Sequence, residues 1–134
     1  MRLPATGQTG GGVKMREFLF RAKKNPSGEW IEGFLVGLCH IGDWASCEPV
    51  HSNTIGEFAG LTDKKGKRIF EGDICRVTRP CVLAYGKITF KNGCFWFVDD
   101  GPGGMLRLCD VQLNGFEIEV IGNIHDNPKL AEVN

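Results

Sequence analysis

Asp63, Glu71 and Asp73 are the first residues whose types and spacing could do chemistry. Carboxylates at a controlled separation can bind a metal ion or act as general acid and base. These three lie in residues 60–77, GLTDKKGKRIFEGDICRV, where turns alternate with apolar runs. Turn formation competes with catalysis for each of them. An Asp before Lys-Lys-Gly accepts backbone N–H groups, and Gly66 supplies the positive φ of a tight turn. Glu71-Gly72-Asp73 is a second turn, feeding a strand at 74–77. Turn formation is the expected role of all three acids.

Cys39, His40, Cys47 and His51 are the candidate metal ligands. Zinc takes four N or S donors, and Cys47-x-x-x-His51 is an acceptable half-site. Adjacent Cys39 and His40 make a poor second half, so a loop with incidental thiols and imidazoles is expected, and no cofactor. His125 stands before Asp126 in GNIHDNP, but no recognisable Ser or Cys nucleophile motif accompanies the pair. A structured exit from the last strand is expected there. Lys64, Lys65, Lys67 and Arg68 form a basic run. It is the candidate binding surface, suited to nucleic-acid phosphates if aromatic side chains lie nearby; a solvated hairpin tip is the competing reading. Gly101-Pro102-Gly103-Gly104 lacks the Gly-Lys-Ser/Thr ending of a phosphate loop.

The elements that must position these residues are short strands. Around residues 16–22, Phe18, Phe20 and Ala22 alternate with Glu17, Leu19 and Arg21, the period of a half-buried strand. Asn25-Pro26-Ser27-Gly28 is a turn, and 29–39 returns as a second strand, giving an N-terminal hairpin. Residues 40–54 read as an irregular loop with at most a short strand, and 55–61 as a further strand. Residues 78–85, with Pro80, read as a loop or edge. Strands at 86–90 and 94–98 flank Asn92-Gly93, the strongest hairpin signal in the chain. A short strand at 105–109 and a last clear strand at 116–122 follow. Asn127 is the expected N-cap of a short terminal helix starting at Pro128. Closely spaced strands separated by Gly turns indicate a small barrel or roll.

Composition narrows the classes. The chain has 134 residues, 42% hydrophobic and 24% charged, with zero formal net charge. Such a length is normally one domain able to bury its own core. Zero net charge argues against strong sequence-independent DNA binding, while leaving room for a local basic patch. No run approaches the ~18–20 apolar residues of a membrane span. Residues 1–14 have no continuous apolar core, so a secretory leader is not expected. The six cysteines show no Cys-x-x-Cys and irregular spacing. Buried free thiols in a reducing cytosol are the expected state. The Gly/Thr-rich stretch 1–14 is expected to be a mobile tail. Gly11-Gly12 ahead of Met15 also matches an in-frame GGAGG ribosome-binding sequence, which would make Met15 the native start.

R-E-F-L-F-R-A, W-I-E-G, G-L-T-D-K-K-G-K-R-I-F-E-G-D-I, G-K-I-T-F and E-V-I-G-N-I-H-D-N-P-K-L occur in that order from Met15 to Leu130. Together they resemble the phage-associated YopX family. The joint occurrence of the 60–74 and 119–130 blocks carries the resemblance. It implies a mainly β protein with an N-terminal β-hairpin region at 15–59 and a C-terminal Src-homology-3-like small barrel at 60–130. At most one short C-terminal helix and a tail at 131–134 complete it. The structural signature is expected at Gly60, Asp63, Gly66, Glu71, Gly72, Asp73, Gly122, Asn123 and Pro128. The resemblance implies a phage or prophage gene and no known activity.

The expected function is a cytoplasmic, non-enzymatic binding or assembly module of a phage or prophage. A protein partner or self-association is expected, and no membrane. Trp30, Phe34, Trp44 and Phe58 are more aromatic area than a small N-terminal region should bury, which favours self-association. Single-stranded nucleic-acid binding through the basic tip is the alternative. A metal-dependent enzyme using the carboxylates or His125 ranks third.

Overall fold

The computed structural model describes residues 18–42, 46–99 and 104–132. The expected tail at 1–14, the Met15 start and Trp44 lie outside them. Short alternating runs and closely spaced turns build two antiparallel sheets. The first contains β1 (Phe20–Lys23), β2 (Trp30–Leu35), β3 (His40–Gly42), β4 (Cys47–Pro49), β5 (Gly56–Thr62) and β6 (Arg68–Phe70). Their order is β4-β3-β2-β1-β5-β6. The second contains β7 (Asp73–Arg79), β8 (Val82–Lys91), β9 (Cys94–Asp99), β10 (Met105–Arg107) and β11 (Glu117–Asn123), in the order β10-β9-β8-β7-β11. Two short helices, α1 (Leu108–Leu113) and α2 (Pro128–Glu132), complete the chain.

The N-terminal hairpin forms as expected, with Lys23 opposite Trp30 and Phe20 opposite Gly33. Asn92-Gly93 closes the β8–β9 hairpin between the paired Lys91 and Cys94. Both turn residues have positive φ, 53° and 80°, as a two-residue hairpin of this type requires.

Several expectations are corrected. Residues 78–85 are not a loop: β7 runs to Arg79 and β8 starts at Val82. Pro80-Cys81 is the turn between them, with Cys81 at φ 71°. Proline preset the first turn position, so it marked a turn and not an edge. Residues 40–54 hold two short strands, β3 and β4, whose three-residue lengths leave no alternation to read. Among the described residues there are two α-helices, where at most one was expected. In α1, Leu108 and Val111 are buried at i, i+3, one turn's worth of periodicity and too short to register as amphipathic. The cysteines are all free, but only Cys75 is buried; Cys39, Cys47, Cys81 and Cys109 are exposed.

The larger core gathers Cys75, Val77, Ile88, Phe97 and Ile118 from the second sheet, Leu108 and Val111 from α1, and Ile69 from β6. The smaller one is Ala22, Ile41 and Val50, with Phe20, Ile31 and Ile55 packed against it. Ile69, with Ala59 and Leu61 beside it, commits the β5–β6 hairpin to the second sheet's core although its strands pair in the first. No ladder joins β10 to β11 among the described residues, so the second sheet is open.

Candidate functional site: the junction and its basic cleft

The Asp63 turn is fastened at both ends. Asp63 Oδ1 accepts the N–H groups of Lys65 and Lys67, each at 2.9 Å. Its Oδ2 accepts the Val120 N–H of β11 at 3.0 Å. The Lys64 N–H donates to the Ile118 carbonyl at 3.0 Å. Gly66, at φ +84°, permits the reversal. Burial pushes the Asp63 carboxyl up, but the three N–H groups and the Lys67 charge outweigh it and hold the carboxyl below its ordinary range. Asp63 therefore ties the β5–β6 turn to the last strand.

Asp73 does a related task at the second turn. Its Oδ2 accepts the Phe70 N–H at 2.8 Å, and its Oδ1 lies 2.7 Å from Arg21 Nη2 on β1. Arg21 was expected on the strand face opposite the core. That face meets the second sheet instead, and both Arg21 and Asp73 are buried. The guanidinium sits 4.7 Å from the Trp30 ring and 4.9 Å from the Phe70 ring. The Arg21–Asp73 contact is an ion pair with poor hydrogen-bond alignment, leaving Arg21 Nε and Nη2 and Asp73 Oδ1 without an aligned partner. Burial drives the Asp73 carboxyl upward, and Arg21 and the Phe70 N–H only partly offset it. Burial also raises the neighbouring Glu71 carboxyl, whose backbone N–H donates to Glu57. Gly72 completes the turn at φ +93°; its N–H donates to Ile88 and its carbonyl accepts from Ile124.

The GNIHDNP segment is a clasp. Asn123 Oδ1 accepts the N–H groups of His125 at 2.9 Å and Asp126 at 2.8 Å. Asp126 Oδ2 accepts from Trp30 Nε1 at 2.8 Å, and its Oδ1 pairs with Lys23 Nζ at 2.5 Å. These contacts to Lys23 and Trp30 hold the Asp126 carboxyl at about 2. His125 packs 5.9 Å from the Trp30 ring, and burial, then Arg21 and Lys23, pulls its imidazole below its ordinary range. Asn127 Oδ1 accepts the Asn123 N–H at 3.1 Å, which engages the expected N-cap side chain in the turn. Pro128 then opens α2. A Cβ on Gly122 would lie 2.5 Å from Asn127 Oδ1, so the glycine lets the clasp fold back on β11. Gly60, the remaining signature glycine, adopts φ +91° within β5.

The basic run divides into two pairs. Lys64 and Lys65 reach β11: Lys65 Nζ is 3.0 Å from Glu119, and Lys64 Nζ is 3.7 Å from Glu117. Glu119 also pairs with Arg76. Lys67 and Arg68 instead line a cleft of about 490 Å³ with Arg21, Glu32, Phe58 and Phe70. Arg68 Nη1 lies 3.5 Å from Glu32, and its guanidinium is 5.8 Å from the Phe58 ring. Sequence reasoning missed Arg21, Glu32 and Phe70 as companions of this pair. Their spacing along the chain carries no signal, since pairing of β1 with β5 brings them together.

Cys39 Sγ lies 3.8 Å from His40 Nδ1. Among the described residues no group of three or more His, Cys, Asp or Glu side chains is arranged to hold a metal ion. Of the aromatics expected to favour self-association, Trp30 is engaged in the clasp and Phe58 is buried, while Phe34 remains exposed.

Two antiparallel sheets, joined by a buried ion pair, a turn carboxylate and a C-terminal clasp, define a mainly β protein whose signature residues are its joints. The chain belongs to the YopX family: the family model described as YopX protein matches residues 13–132. No curated protein matches the sequence. No helix among the described residues is long and apolar enough to cross a membrane.

Proposed function

We propose that this chain is a non-enzymatic binding or assembly module of a phage or prophage, working in the cytoplasm of a bacterial host. The observation that carries this reading is the outer face of the second sheet. Cys75, Val77, Ala84, Ile88 and Phe97 point into the core, so the alternating residues stand on the opposite face. There the register sets Tyr85 opposite Arg76, Leu83 opposite Thr78 and Met105 opposite Val98. Leu83 is 59% exposed and Tyr85 48%. Leu83 and Tyr85, neighbours at i, i+2 on that face, are the exposed apolar pair that forms the contact surface. The small-barrel likeness of this sheet and the phage setting come from the family resemblance and belong to the same proposal.

The test is a Leu83→Ser/Tyr85→Ser double variant used as bait in lysate of phage-induced host cells. The variant should keep its fold, because both side chains point outward. After nuclease treatment, wild type should retain protein partners that the variant loses. Equal retention by both refutes the reading.

Single-stranded nucleic acid is the second reading, favoured because Trp96 and Tyr85 share that face with Lys87, Lys91 and Arg107. Stacking aromatics among cations suit a strand of any sequence. Partners lost on nuclease treatment, together with salt-sensitive oligonucleotide binding, would select it over a protein partner.

A further inference from the structure

The cleft at the edge of the first sheet offers a different chemistry and does not rest on the outer-face reading. Three cations line it, Arg21, Lys67 and Arg68, against one carboxylate, Glu32. Each cation is held in its own way. Arg21 is the floor. Its guanidinium is fixed between two aromatic rings with Asp73 at one corner, and two of its nitrogens have no aligned hydrogen-bond partner. Nη2 already lies 2.7 Å from the Asp73 carboxylate, so Nε is the buried donor left for a further acceptor, and a buried donor left unmet is costly.

The rim is looser. Arg68 and Glu32 are 3.5 Å apart and each side chain is nearly half exposed, so their pairing contributes little and is easily exchanged. Lys67 is anchored by its backbone: its N–H is bound to Asp63 Oδ1 and its carbonyl accepts the Asp63 N–H, and the residue lines the cleft. Thr62 and Gly66 complete the wall. Lys67 thus sits on a turn pinned by hydrogen bonds, Arg68 at the start of β6, and the floor cation on β1.

We propose that this cleft binds a phosphoryl group, with Lys67 and Arg68 closing on its oxygens over Arg21. Guanidinium and ammonium groups converging from separate elements suit an anion with several oxygens better than a single carboxylate. A volume of about 490 Å³ leaves room for an organic group beside the phosphate. The phosphate comes from a small phosphorylated molecule or from the 5′ end of a strand, and the chemistry at the cleft is the same.

The experiment is calorimetric titration of the full chain with inorganic pyrophosphate, alongside a short oligothymidylate with and without a 5′ phosphate. Three variants accompany wild type: Lys67→Gln, Arg68→Gln, and the double Lys64→Gln/Lys65→Gln. The double variant removes more charge from the same turn but touches no cleft wall. Thermal melts confirm that each is folded. Wild type should bind pyrophosphate saturably, and each cleft variant should weaken it about tenfold, the scale of one lost charge-assisted contact. The double variant should stay within about twofold, as screened charges outside a site do. A strand bound more tightly when 5′-phosphorylated assigns the phosphate to a strand end; pyrophosphate binding with no such preference assigns it to a small molecule. Absence of saturable binding to pyrophosphate and the phosphorylated strand alike overturns the proposal. So does an equal loss in the double variant, which would reduce the effect to general charge.

Discussion

Replacing Asp63 by Ala should destabilise the fold by about 3 kcal/mol. The residue's carboxylate accepts three backbone N–H groups, from Lys65, Lys67 and Val120. The Val120 amide lies in the partly buried joint with β11, and leaving such a donor unsatisfied costs about 1–3 kcal/mol. The two turn amides can be rehydrated, so each adds only about 0.5–1 kcal/mol. At this chain length, about 3 kcal/mol corresponds to a fall in Tm of roughly 10 °C. Urea melts should show a lower midpoint with an unchanged slope, since the buried area is the same. Asp63→Asn keeps an acceptor oxygen but turns an NH₂ toward one of the donors, so it should fall between wild type and Ala. The acid response gives a second readout. Because the folded carboxyl titrates below its unfolded value, its contribution is full above the unfolded pKa of about 3.9 and disappears as pH falls through the folded pKa. The alanine variant should therefore lose less stability than wild type on acidification below about pH 4. An Asp63→Ala protein within about 0.5 kcal/mol of wild type would refute the claim that this side chain joins the turn to the sheet.

Asp73→Ala strands the buried Arg21 and should cost about 3–5 kcal/mol, whereas adding Arg21→Met should recover part of that loss in a double-mutant cycle by chemical denaturation. Trp30→Phe removes the indole N–H from Asp126 and should cost about 1 kcal/mol, read as a lower urea midpoint. Gly122→Ala drives a methyl into Asn127 Oδ1 and should cost about 1–3 kcal/mol, with the Asn123 and Asp126 amides exchanging faster with solvent. His125 titrates below its unfolded value, so stability should begin to fall as pH drops through about 6.5; His125→Phe should flatten that part of the pH profile.

The legible parts of this fold were those decided within a few residues. Asn92-Gly93 requires positive φ at two adjacent positions, and Asp63-Lys64-Lys65-Gly66 pairs a turn acceptor with a permissive glycine; both turns stand where they were expected. The alternation of Phe116–Val120 likewise marked a true strand. The missed elements have too little length to show a period: β3 and β4 at three residues each, and α1 at six. Pro80 misled because its fixed φ suits a turn as well as an edge. The joints were hidden for another reason. Arg21 meets Asp73, and Trp30 meets Asp126, only after the sheets have assembled, and no local pattern encodes such a pairing. The cleft was half visible, since Lys67 and Arg68 stood out while Arg21 resembled an ordinary strand residue.

The clasp has a consequence for the order in which the molecule can mature. Trp30 emerges early from the ribosome, and Asp126 follows ninety-six residues later. The first sheet can pair its strands during synthesis and Arg21 can meet Asp73 once β7 is made, but Lys23 and Trp30 wait for Asp126 with an unpaired charge and an indole N–H unmet. Folding that depends on such distant contacts is slow and leaves sticky surface exposed meanwhile. A nascent chain stopped at Gly122 would keep the Arg21–Asp73 pair and the Asp63–Val120 tie while lacking the clasp on Lys23 and Trp30.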